Sequence, residues 1–167
     1  MKRMVVLLIV LVAIGAVGMM VAAAATPTNF VAHLSGDNEV PPVDTQSQGQ
    51  VKFQLRGDEM TFRLNVANIE NVTQAHIHCG AEGVNGPVIV FLFGFVDGGV
   101  NVNGVLSEGT FTAADVIARP DSAACPGGIA NFEELIAKMR SGDTYVNAHT
   151  TAFPGGQIRG QVRQVGR

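Results

Sequence analysis

Two histidines separated by one residue, His76 and His78, are the pair in this 167-residue chain best suited to chemistry. On an extended strand, residues two apart point the same way, with Cβ atoms about 6.5–7 Å apart. Two imidazoles at that separation can chelate one ion. Imidazole nitrogen suits copper and zinc, so these are the expected metals. His149 is the candidate third ligand, on condition that its strand lies beside that of His76. The competing reading is that outward histidines on a sheet are ordinary polar residues, and the spacing alone leaves both open.

No residue earns a catalytic assignment. The chain has no Gly-x-Ser-x-Gly elbow, no phosphate-binding glycine loop and no His-Glu-x-x-His. Asp37, Glu39 and Asp44 share one loop but lack the dense alternation of a calcium-binding loop, so they read as a solvated acidic stretch. The two cysteines, Cys79 and Cys125, are an even pair, which in an exported domain reads as a disulfide. A thiolate metal ligand is the alternative for Cys79. Strand alternation speaks against it, because Cys79 faces opposite to His76 and His78.

The elements that must position these residues are short alternating strands. Phe30, Ala32 and Leu34 share one face, with His33 on the other. Val51, Phe53 and Leu55 alternate with polar residues, Gly57-Asp58 makes a turn, and Met60, Phe62, Leu64 and Val66 resume the period of two. Residues 72–79 form a further strand that sets Ala75, Ile77 and Cys79 against His76 and His78. Strands follow over 88–95 and 102–111. Residues 144–150 form another, with Tyr145, Asn147 and His149 opposite Val146 and Ala148, and 157–165 form the last. With apolar faces inward, all four imidazoles project from the outer surface. Thr112 caps a short turn, and Asn131 caps a helix over 132–139, with Glu133 and Glu134 in its first turn and Lys138 and Arg140 in its last. The expectation is an all-β, Greek-key antiparallel sandwich or flattened barrel of about eight strands, with one short helix on a crossover loop.

The N-terminus places the domain outside the reducing cytoplasm. Lys2 and Arg3 precede an uncharged apolar run over 4–21, and Ala22 to Ala25 are small, as a signal peptidase requires. Residues 1–25 therefore read as a signal peptide and 26–167 as one domain, secreted or held in the periplasm or at the cell surface. The apolar run is about long enough to span a bilayer, so membrane attachment follows only if it stays uncleaved. Without Lys2 and Arg3 the basic count falls from 11 to 9 against 14 acids, a net charge of −5. A mildly acidic domain with no basic cluster is a poor nucleic-acid binder.

Three segments, in order, resemble the chordin-type (CHRD) domain. They are Ala32-His33-Leu34-Ser35-Gly36-Asp37-Asn38-Glu39-Val40-Pro41-Pro42, then Ala75-His76-Ile77-His78-Cys79-Gly80 with Gly83-Val84-Asn85-Gly86-Pro87, and finally Tyr145-Val146-Asn147-Ala148-His149-Thr150 with Pro154-Gly155-Gly156-Gln157-Ile158-Arg159-Gly160-Gln161. The resemblance implies an immunoglobulin-like β-barrel, distantly similar to copper–zinc superoxide dismutase. It further implies a copper-type site near His76, His78 and His149 on the outside of the barrel, with Arg159 guiding an anion toward it. Four histidines are too few for both a copper and a zinc site.

Three functions follow as expectations. The first is a non-enzymatic binding or structural module with an extracellular protein or matrix partner and a single histidine-based copper or zinc site. The second is a mononuclear copper redox enzyme, and the third an adhesion or matrix domain without metal.

Overall fold

The hairpin expected around Gly57-Asp58 is the framework on which the rest is laid. The computed structural model describes residues 28–166; residues 1–25, expected to be a signal peptide, lie outside the described residues. Strand β1 (Thr28–Ser35) pairs antiparallel along its whole length with β2 (Gln48–Arg56), from Thr28 opposite Leu55 to Ser35 opposite Gln48. From β2 the chain turns at residues 57–58 into β3 (Glu59–Cys79), with Arg56 opposite Glu59.

Here the structure corrects the sequence reading. The strands expected over 60–66 and 72–79 are one 21-residue strand. Asn68 and Asn71 adopt the left-handed conformation, with φ of 54° and 52°, which asparagine tolerates better than most residues. The chain therefore bulges between Val66 and Val72, shifting register, instead of leaving the sheet. The last predicted strand shows the reverse. Residues 157–165 divide into β7 (Ile158–Gln161) and β8 (Arg163–Val165) at Val162, which is fully buried and donates its N–H to the carbonyl of Thr144.

Between these lie β4 (Val88–Phe93), β5 (Val100–Phe111), the helix α1 (Phe132–Ser141) and β6 (Thr144–Thr150). Strand β3 closes the barrel because it is used twice. Its first half pairs with β2 and its second with β6, and the path β2-β1-β7-β6 returns to it. Strand β5 takes the other edge of the first half and β4 the other edge of the second. Ser107 Oγ on β5 donates to the Leu92 carbonyl on β4 at 2.6 Å, joining the two outer strands. All of these pairings are antiparallel, and the eight-stranded all-β architecture agrees with the expectation.

The inward residues are those that alternation selects: Phe30, Ala32 and Leu34, then Val51 and Phe53, then Met60 and Leu64, then Ala75, Ile77 and Cys79, and Val146 and Ala148. Helix α1 adds Phe132, Leu135, Ile136 and Met139, a single buried stripe at helical spacing. Its start is fixed by Asn131, whose Oδ1 accepts the Glu134 N–H at 2.9 Å, and its end by Gly142 at φ 82°. Among the described residues no helix is long and apolar enough to cross a membrane. Cys79, the last residue of β3, is disulfide-bonded to Cys125 in the long β5–α1 connection, as expected.

Candidate metal centre

The outer face of the sheet carries a second set of aligned residues. Because β6 lies antiparallel beside β3, His76 stands opposite Asn147, His78 opposite Tyr145, and Gln74 opposite His149. On the flanks, Phe91 of β4 is opposite His76 and Arg159 of β7 is opposite Asn147. One row across the sheet therefore reads Phe91, His76, Asn147, Arg159. The condition set on His149 is met: its strand neighbours that of His76.

Alternation was right about direction and wrong about exposure. His76, His78 and His149 face away from the barrel interior, but they are only 3%, 7% and 6% exposed. His33 alone stays in solvent, near Gln50. The covering comes from loops and from neighbouring rings. The Phe91 ring stands edge-on to His76 with centroids 4.5 Å apart, and Tyr145 stacks on His78 at 4.7 Å. The Gly86 backbone lies over His78 and the Pro154 carbonyl over His149. Gly86 is required there, since a Cβ would lie 1.6 Å from the Cys79 carbonyl oxygen.

Two carbonyls set the state of the imidazoles. His78 Nδ1 is 2.9 Å from the Gly86 oxygen, and His149 Nδ1 is 2.9 Å from the Pro154 oxygen. A carbonyl only accepts, so each Nδ1 carries the hydrogen and each Nε2 keeps its lone pair. Metal-ligating imidazoles are oriented in this way by an acceptor on the ring's other nitrogen. His149 Nε2 lies 3.2 Å from His76 Nδ1. One nitrogen from each of the three histidines falls within 4.8 Å of the others. His76 Nε2 and His78 Nε2 are buried without a hydrogen-bond partner, at a cost of about 1–3 kcal/mol for each such polar atom.

The electrostatics keep these groups neutral. Burial, helped by His149 and His78, pushes the His76 pKa down to about 3. Burial also pushes His78 down to about 4, against the opposing Gly86 bond, and it lowers His149 as well. Neutral imidazole is the metal-binding form.

The remaining candidates fall close by. Arg159 is 2% exposed, and its guanidinium lies 3.4 Å above the Tyr145 ring centroid. It donates to Asn85 Oδ1 at 2.9 Å, to the Val84 carbonyl at 2.8 Å and to the Ala81 carbonyl at 3.3 Å. These bonds pin the 81–85 loop beside the histidines. The cavity at its side is lined by Asp37, Glu39 and Glu82 as well as Arg163.

Glu39 is the second correction. Expected in a solvated acidic loop, it is 5% exposed, and burial raises its pKa to about 7 despite the nearby Arg159. Asp37 and Asp44 remain exposed. Cys79 is not a ligand, since its sulfur is in the disulfide on the opposite face.

A family model described as the CHRD domain matches residues 30–162. The chain belongs to the CHRD family. No curated protein and no solved structure matches it. The CHRD match runs from β1 to Val162 and so takes in every strand that contributes to the histidine cluster. Four residues around the histidine cluster were not singled out from the sequence as site residues: Asn147, Tyr145, Phe91 and Glu39. The signal for the first two was present, because the alternation that orients His149 places Tyr145 and Asn147 on the same face. Phe91 and Glu39 depend on β4 register and loop packing, which have no local sequence signature.

Proposed function

We propose that this CHRD domain is an extracytoplasmic binding or structural module that holds one copper or zinc ion through His76, His78 and His149. The observation that carries the reading is the convergence of three imidazoles within 4.8 Å, with the Nε2 of His78 buried and unpartnered. A folded protein leaves such atoms without partners rarely, and a soft-to-borderline cation is the ligand that neutral imidazoles accept best. The 3.2 Å between His149 Nε2 and His76 Nδ1 compares with about 3.3 Å for two nitrogens bound tetrahedrally at zinc distances. When bound, the ion supplies a positive charge and a cross-link between β3 and β6. The chain's own residues orient the ligands through the Gly86 and Pro154 carbonyls and exclude water through Phe91 and Tyr145. Export is supported by the signal-like N-terminus, the disulfide and the family's extracellular habit.

A metal-free adhesion or matrix module is the second reading. It is favoured by the same 3.2 Å contact, which a neutral His76 Nδ1–H donating to His149 also satisfies. Titration of the metal-free protein with Zn2+ separates the two. One-to-one binding that is lost in His76→Ala supports the metal reading; an absence of binding leaves the metal-free module.

A further inference from the structure

Asn147 faces two lone pairs with a third. Its Oδ1 lies 2.9 Å from His149 Nε2, and both groups are buried. Since His149 spends its ring hydrogen on the Pro154 carbonyl, this is an acceptor facing an acceptor. Such a pair repels unless a cation lies within reach of both. The same amide is close enough to His78 to act on its proton affinity, without making a hydrogen bond of good geometry to Nε2.

The amide presents its oxygen to His149, and its nitrogen lies toward Gly156. A Cβ built on Gly156 would lie 2.8 Å from Asn147 Nδ2 and 2.4 Å from Glu39 Oε1. The amide nitrogen and the carboxyl oxygen thus both border the space that Gly156, at φ 129°, leaves open.

We infer that Asn147 Oδ1 is the fourth ligand of the ion, completing a closed site of three nitrogens and one oxygen. The inference rests on the metal reading above. The separations from His149 Nε2 are 2.9 Å to Asn147 and 3.2 Å to His76. Ligands held at about 2.0–2.2 Å from one ion lie about 2.8–3.6 Å apart for angles between a right angle and the tetrahedral value. A structural site is four-coordinate and closed, whereas a catalytic one keeps a position for water. Phe91 at the edge of His76 and Tyr145 over His78 occupy two of the approaches a water would take. The amide oxygen also sets the class of ion: Zn2+ or Cu2+, not the softer Cu+.

The test uses the exported chain loaded with Co2+ as a spectroscopic substitute and with Zn2+ for affinity. The wild type should show the intense visible absorption of four-coordinate Co2+, unchanged by azide. Asn147→Leu should bind Zn2+ at least about tenfold more weakly, and its Co2+ spectrum should respond to azide. Asn147→Asp, which keeps the oxygen and the shape, should bind Zn2+ at least as tightly as wild type, and guards against a leucine variant that fails to fold. Azide shifting the wild-type spectrum, Asn147→Leu binding like wild type, or Asn147→Asp losing the metal would each overturn the inference while leaving the three-histidine site intact. A wild type that binds neither ion overturns both.

Discussion

The imidazole of His78 lies flat against the phenol of Tyr145, with ring centroids 4.7 Å apart and planes within 9° of parallel. Tyr145 is the sole tyrosine in a chain without tryptophan. Its emission therefore reports on the candidate metal centre without interference. Cu2+ bound at His78 should quench that emission strongly at one equivalent, and Zn2+ much less, because only the former is paramagnetic and redox-active. A fluorescence titration checks this. Quenching that needs many equivalents, or that survives in His78→Ala, would point to copper elsewhere on the surface.

Stability of the metal-free protein should fall with acid in two stages. His76 and His78 titrate at about 3 and about 4 in the folded state, against about 6.5 in an unfolded chain. The unfolded state therefore binds more protons, and their contribution, complete above pH 6.5, is lost as pH falls through the folded values. Glu39 acts with the opposite sign: its folded pKa, raised from 4.5 to about 7, favours the folded state as pH falls between those values. His149, which burial also lowers, acts in the same direction as His76 and His78, so three groups oppose one below pH 6.5, and below 4.5 the carboxyl no longer offsets them. Each group contributes a slope of at most about 1.4 kcal/mol per pH unit. Urea midpoints at pH 7.5, 5.5 and 4 should show a shallow decline followed by a steeper one. A midpoint that does not move contradicts the buried neutral histidines.

Arg159 anchors the loop that covers the site. Arg159→Met keeps the bulk but leaves Asn85 Oδ1 and the Ala81 and Val84 carbonyls without their donor. The expected loss is about 2–4 kcal/mol of stability, together with faster amide hydrogen exchange in the 81–86 segment. A variant as stable and as protected as wild type would show that the guanidinium does not hold the loop.

The disulfide ties the end of β3, just past His78, to the β5–α1 connection. Its cysteines are 46 residues apart, a loop for which the chain-entropy account gives about 4 kcal/mol. Cys79→Ala with Cys125→Ala should lower stability by up to that amount. Denaturant unfolding measures it, and an unchanged midpoint would contradict the account.

Much of this arrangement was legible in the sequence because β alternation is a local property. The faces of Ala75, Ile77 and Cys79, the turn at Gly57-Asp58 and the Asn131 cap all follow from neighbours within a few residues. What failed was non-local. Nothing near His76 in sequence says that Phe91, 15 residues on, lies against it, or that Gly86 and Pro154 roof the other two histidines. An outward residue was read as an exposed one, and a barrel with loops folded over its outer face breaks that equation. Glu39 misled for the same reason, since its neighbours Asp37 and Asn38 are exposed and only the tertiary approach of Gly156 and Arg159 buries it. The sequence reading divided the long strand β3 between Val66 and Val72, where Asn68 and Asn71 in fact mark a bulge within it.

The account stands most directly on metal content. The protein, purified without a histidine tag, equilibrated with Zn2+ or Cu2+ and freed of excess, should retain one ion per chain by elemental analysis. His76→Ala should lose more than about 100-fold in affinity, beyond the 10–100-fold expected of an outer-shell change. Failure of the wild type to retain stoichiometric metal, or equal retention by His76→Ala, would contradict it.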